Sequence, residues 1–283
     1  MKIITTNLEK EEEFTIKKYI ISKKNKESAK IFLKALAIFG IWMLLTYLLE
    51  GMLLTLQGPD ATMNRMLYTF IANIVFGTII GIYFIHYNLK SYDFSKEEYG
   101  FRSIAFTLNS IIIGFLAGLG LYFAQNPPTY DPVIIANGFA QVLVVSIAEI
   151  IICWAIVGTI SKHITKKKIG KILSVIFAVT ISSILFGLYH FAHSPPFNTI
   201  NMFIMLTIVG VVFTSIYYFI VKDIYGTIVF HNFLGVLGVL NALKQSGNLT
   251  AYTTPIVPLF ITAGIALLIL VLMDYFFIRR ENY

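Results

Sequence analysis

Apolar residues run in long blocks along the chain, at 31–56, 66–87, 104–124, 133–160, 172–192, 200–221, 224–243 and 256–278. About 30 Å of hydrocarbon takes roughly 20 residues of helix, and each block reaches that length. None alternates apolar with polar residues at a period of two, which excludes a lipid-embedded barrel and leaves helices that satisfy their own backbone hydrogen bonds. The pattern predicts an all-α, polytopic transmembrane bundle of about eight spans. Short loops separate the blocks, punctuated by Gly58-Pro59-Asp60, Asn126-Pro127-Pro128 and Ser194-Pro195-Pro196. They leave no room for a soluble domain, so any chemistry sits within the membrane. No internal repeat supports an inverted-repeat transporter.

Charge sets the orientation. Of 22 Lys and Arg, nine lie in the segment up to Lys34, then come Lys90, Lys96 and Arg102, five between Lys162 and Lys171, and finally Lys222, Arg279 and Arg280. If the chain alternates across the bilayer, all of these fall on one side, against Arg65 and Lys244 on the other. The positive-inside bias makes that side cytoplasmic, with both termini on it. Residues 1–30 are then a cytoplasmic lead whose lysines enforce topology. Interleaved Phe14, Ile16, Tyr19 and Ile20 offer an interfacial helix as the alternative. No cleavage pattern of a removable signal peptide precedes the first block. The N-terminal transmembrane helices span 31–125, a core follows at 133–243, and 244–283 hold the last transmembrane helix and a cytoplasmic tail.

Composition agrees, with 57% hydrophobic and 13% charged residues, well outside the range of soluble domains. The net charge of +7 then reads as a topology signal and an attraction to anionic membrane lipid, and nucleic acid is not expected as a partner. A single cysteine, Cys153, excludes a disulfide framework or a thiolate zinc cluster. The Lys, Ile and Asn bias, without an organelle signal, suggests a bacterial plasma membrane.

Ionisable groups at membrane depth are functional candidates by default. Glu149, His190 and His231 stand out, on the fourth, fifth and seventh blocks, with His193 one turn beyond His190. A carboxylate and imidazoles converging in a bundle can activate water for peptide hydrolysis or hold a metal. Glu50, Asp274 and His86 lie close enough to block ends to be solvated. Asn73, Asn109, Asn137, Gln141 and Asn201 would line a path if the chain were a small transporter subunit, although such amides commonly serve as interhelical glue. No His-Glu-x-x-His, Gly-x-Ser-x-Gly or Gly-x-Gly-Asp occurs, so zincin-like, serine and aspartyl intramembrane chemistries are not expected.

Three segments carry a family resemblance. Ser182-Ser183-Ile184-Leu185-Phe186-Gly187-Leu188-Tyr189-His190 contains a Phe-x-x-x-His helix, Tyr225 to Asn232 approaches a His-x-x-x-Asn or His-x-x-x-Asp helix at His231, and Ser146 to Cys153 stands in place of a Glu-Glu-x-x-x-Arg helix. With Tyr99-Gly100-Phe101-Arg102 entering a span that holds Gly114, Gly118 and Gly120, residues 99–243 resemble the CPBP family of intramembrane CAAX proteases and bacteriocin-processing, Abi-like enzymes. The resemblance implies an eight-helix endopeptidase acting on a membrane-associated peptide or protein, with 133–243 as its core. It implies Glu149 as the base that activates water and His190 and His231 as groups that polarise the carbonyl or, with Glu149, hold a divalent metal such as zinc. Phe186 and Asn232 would support them. The chain departs from the motifs in three places. With Glu149 as the second glutamate, Ala148 and Cys153 replace the first glutamate and the arginine; with Glu149 as the first, Ile150 and Trp154 do. Gly235 stands where the third motif has Asn or Asp. A relative that binds peptides or confers bacteriocin immunity without catalysis is the alternative.

Depth bears on the same site. At 1.5 Å per residue from the expected cytoplasmic lysines, Glu149 lies roughly 19 Å, His190 roughly 28 Å and His231 roughly 13 Å into the membrane. Straight, upright helices would hold the three apart. A shared site needs tilted spans, or an interfacial helix within 162–180, which Lys166-Lys167-Lys168 and Gly170 permit.

Overall fold

The computed structural model describes residues 26–53 and 61–280, so the Gly58-Pro59-Asp60 turn and most of the N-terminal lead lie outside the described residues. These form seven helices long and apolar enough to cross a membrane: α1 (Lys26–Met52), α2 (Met63–Ser91), α3 (Ile104–Ala124), α4 (Pro132–Ala192), α5 (Ile200–Val221), α6 (Ile224–Gln245) and α7 (Val257–Arg279). No strand occurs among the described residues. The chain is an all-α, multi-pass membrane protein.

The difference between eight blocks and seven helices lies in α4, which contains both 133–160 and 172–192. Its 61 residues would extend about 90 Å if straight, three times the hydrocarbon thickness. They fold back at Gly170, whose φ of 80° and ψ of 172° belong to a region open essentially to glycine alone. The two limbs then run antiparallel: the Trp154 and Phe186 ring centroids are 5.2 Å apart, and a Cβ on Gly158 would meet Ser182 Oγ at 2.5 Å. The first limb forms the centre of the bundle. Every residue from Ile150 to Val157 is fully buried, whereas α1, α3, α5 and α7 turn rows of Leu, Ile, Val and Phe outward.

Local sequence explains where helices start. Asp131 caps α4 by accepting from Val133 N at 2.8 Å and Ile134 N at 3.3 Å, with Pro132 at the first position, where no N–H is needed. Asp223 caps α6 through Gly226 N (2.8 Å) and also accepts from the Thr107 hydroxyl (2.7 Å), tying α6 to α3. Those two helices approach closely because small residues meet: Ser110 and Gly114 face Gly226, and Gly118 faces Phe233.

Contacts between loops sort the charges by pole. Lys34 Nζ donates to Tyr87 Oη (3.2 Å), Arg279 Nη1 to the Arg102 carbonyl (2.7 Å) and Ile224 N to the Gly100 carbonyl (2.9 Å). Glu98 meets His163 at 3.6 Å. Burial pushes the Glu98 carboxyl up, but the His163 ring, the Ser95 amide and nearby Lys162 together hold it below its ordinary value. The basic residues of the α2–α3 loop, the Gly170 hairpin, the α5–α6 junction and the α7 end thus share one pole. Arg65 lies at the other, donating to Tyr252 Oη at 2.6 Å, and Lys244 stands in the last turn of α6.

Candidate functional site

Glu149, on the first limb of α4, ends the solid centre of the bundle. His231, in the third turn of α6, places Nε2 3.0 Å from Glu149 Oε2. His190 closes the second limb, with Nε2 3.8 Å from Glu149 Oε1. The two carboxylate oxygens therefore face different imidazoles, and Glu149 and His231 are only 4% and 2% exposed. The depth expectation is corrected here. The first limb stays helical through Lys166-Lys167-Lys168 up to Gly170, so Glu149 and His190 lie nearly equally far from one turn and reach the same level. No separate interfacial helix is involved.

Each ring is oriented from behind. His190 Nδ1 is 2.9 Å from the Phe186 carbonyl, which can only accept, so Nδ1 carries the hydrogen and neutral His190 turns the lone pair of Nε2 toward Glu149. His231 Nδ1 lies 2.8 Å from Thr214 Oγ1. With the hydroxyl donating to Nδ1, Nε2–H donates to Glu149 Oε2. The Phe186 ring packs edge-on against both imidazoles, with centroids 4.9 Å from His190 and 5.1 Å from His231, and excludes water behind them.

The departing motif positions are filled by packing. Ala148 abuts Gly77 on α2, where even the Cβ of an alanine in place of Gly77 would collide with Ala148 Cβ; a glutamate at 148 has no space. Cys153 is fully buried among apolar neighbours. Asn232 turns away from Glu149, donating to the Phe139 carbonyl (3.0 Å) and accepting from Ser146 Oγ (3.1 Å). Gly235 borders the cavity, and a Cβ there would come within 2.5 Å of Val142 Cγ1.

Glu50, expected to be solvated, belongs to the same site, together with His193. Glu50 is 3% exposed and accepts from Ser194 N at 2.9 Å, Ser194 Oγ at 2.6 Å and His193 Nδ1 at 2.9 Å. The His193 ring centroid is 5.2 Å from that of His190. Spacing held a signal, since two histidines three apart occupy one helical face; nothing in the sequence showed that α1 would bring Glu50 to them. Asp274 is also buried, not solvated, locked by Tyr225 Oη and Arg279 Nε at 2.8 Å each. His86 is buried and contacts the Phe277 carbonyl at 2.7 Å. Asn137 holds the start of α7 through Tyr252 O, Thr254 O and Ile256 N, and Asn73 binds Trp42 Nε1. Asn109 and Asn201 are exposed on outer helices and line no common path.

Glu149, His190 and His231 form the floor of a cavity of about 300 Å³. Glu50 and His193 stand in its wall, and Met202, Met205, Leu206 and Val209 of α5 face Leu234, Gly235, Leu237 and Gly238 of α6 across it. It extends to Arg65, Gln125 and Ser246, toward the pole opposite the lysine-rich hairpin. Below the floor lies the solid stretch from Ile150 to Val157. Among the described residues, no group of three or more His, Cys, Asp or Glu side chains is arranged to hold a metal. Glu149 and His231 are joined by a direct hydrogen bond. Compared with protein-family models, curated proteins and solved structures, the chain shows no match.

Proposed function

We propose that the chain is an intramembrane endopeptidase that hydrolyses an apolar, membrane-associated peptide or protein with water activated by Glu149. The observation that carries this is the pair of acceptors left facing each other, Glu149 Oε1 and His190 Nε2, 3.8 Å apart. Two acceptors at that separation suit a water that gives one hydrogen to each. Such a water turns its lone pairs outward, toward a carbonyl carbon lying on the cavity floor. As oxygen attacks, Glu149 takes the proton, in general-base catalysis worth about 10²–10⁴-fold. His231 and Thr214 fix the other carboxylate oxygen, so the base does not swing away. The apolar wall of α5 and α6 accommodates an extended apolar stretch of substrate, reached from the bilayer or from the Arg65 pole.

In this reading the chain crosses a bacterial plasma membrane eight times, the two limbs of α4 counting separately, with both termini cytoplasmic by the distribution of Lys and Arg. A second reading, peptide binding or bacteriocin immunity without turnover, draws on Gly235 and the turned-away Asn232, which leave no amide donor of the third motif at the floor. One experiment separates them. The purified chain is reconstituted in liposomes with a pool of apolar synthetic peptides, and products are read by mass spectrometry beside Glu149→Gln. Fragments that vanish in Glu149→Gln support the protease. Peptides retained intact and equally by both proteins support the binding reading.

A further inference from the structure

Peptide hydrolysis needs a proton for the departing amine as well as a base for water, and a donor separate from Glu149 lets the two transfers proceed from different sides of the substrate. The cavity wall carries an unused candidate. Glu50 accepts three hydrogen bonds from Ser194 and His193, the pattern of an ionised carboxylate. It takes its bond from His193 on Nδ1, at 2.9 Å, so the opposite nitrogen, Nε2, is the one free to exchange a proton. That atom is buried and has no hydrogen-bond partner among the described residues, although His193 lines the same cavity as Glu149. A carboxylate behind an imidazole fixes its tautomer and stabilises its charged form, as in hydrolase triads.

We infer that Glu50 and His193 form a second acid–base pair, with His193 Nε2 as the proton donor to the leaving amine. The inference rests on the endopeptidase reading and completes its proton balance. Water oxygen bonds to the carbonyl carbon and its proton passes to Glu149. The C–N bond then breaks as the amine nitrogen takes the Nε2 proton of His193 in its imidazolium form, leaving the ring neutral with its hydrogen on Nδ1, while Glu50 stays ionised. The proton on Glu149 afterwards returns to His193. Glu50 acts through His193 and is a positioning residue. Tyr68 from α2, Tyr189 and His190 from α4 and Glu50 from α1 are the titratable groups around the His193 ring.

The test has two arms on the full chain in liposomes. In the first, ¹⁵N-histidine labelling reads five imidazoles without substrate. The expected result is His193 carrying its hydrogen on Nδ1 when neutral, reverting to the Nε2–H form common in water in Glu50→Leu. His193 already in the Nε2–H form, or unchanged in Glu50→Leu, overturns the inference. In the second arm, cleavage of an acetylated Leu-Leu-Phe N-methylamide is compared with that of its p-nitrophenyl ester, whose leaving group needs no proton. His193→Gln is expected to lower kcat on the amide about 100-fold with KM kept, and to spare the ester. Equal losses on both overturn the donor role. Activity that survives Glu149→Gln sinks the endopeptidase reading instead, and the labelling arm still decides whether Glu50 orients His193.

Discussion

At the scale of single residues, the site divides into groups visible in the chain and groups visible only in space. His190 and His231 stood out because imidazoles in apolar blocks are costly unless used or bonded. Glu50 looked peripheral by the same depth reasoning. Glu50 is buried and His193 largely covered because the 190s loop folds over α1, where Ser194 contributes both its N–H and its hydroxyl to Glu50. Gly235 gives the sharpest residue-scale prediction. A side chain there meets Val142 Cγ1 within 2.5 Å, and overpacking of this kind destabilises by about 1–3 kcal/mol. Gly235→Asn is therefore expected to lower thermal stability in detergent, and Gly235→Asn with Val142→Ala to recover most of the loss by vacating the clashing methyl. If the single variant is as stable as the parent, position 235 is open and its glycine is not a packing requirement.

Elements explain why the helical blocks were legible and their arrangement was not. Block lengths follow from bilayer thickness, and the caps at Asp131 and Asp223 follow from residue type. The turn at Gly170 was harder to read, because Lys166 to Lys171 look like a loop between two spans and are in fact helix on both sides of one glycine. Counting depth from those lysines placed Glu149 and His190 at different levels, whereas counting from Gly170 places them together. The close crossing of α3 and α6 offers an internal control. Gly118 and Gly120 lie in the same span, but a Cβ on Gly118 would come within 2.6 Å of Phe233, while one on Gly120 has nothing within 4 Å. Gly118→Ala should cost about 1–3 kcal/mol by overpacking. Gly120→Ala should be neutral or stabilise by up to about 1 kcal/mol, since alanine loses less conformational freedom in a helix. Unfolding midpoints of the two variants, compared with the parent, check both at once; equal shifts would mean that the α3–α6 contact is looser than these distances state.

For the whole molecule, charge and cavity point to opposite poles, and on the endopeptidase reading this sets where substrate and products would meet water. The hairpin around Gly170, with Lys166, Lys167, Lys168 and Lys171, shares its pole with Arg102, Lys222 and Arg279, while the cavity runs toward Arg65 and Ser246. The orientation proposed from the positive-inside bias would put the lysines in the cytoplasm. In that proposed orientation water would reach Glu149 from the outer side, because the Ile150 to Val157 stretch closes the inner path. The native cysteine is fully buried, so single cysteines introduced at Lys167 and at Gln125 report separately on the two poles. In intact cells, a membrane-impermeant maleimide should label Gln125→Cys and leave Lys167→Cys unmodified until the membrane is opened. Labelled Gln125→Cys should also slow when an apolar peptide fills the cavity, since Gln125 lines its far end. The reverse labelling order would invert the orientation and turn the cavity to the cytoplasm. In that case the geometry at Glu149 would stand, but the substrate would have to be sought among proteins presented from inside the cell.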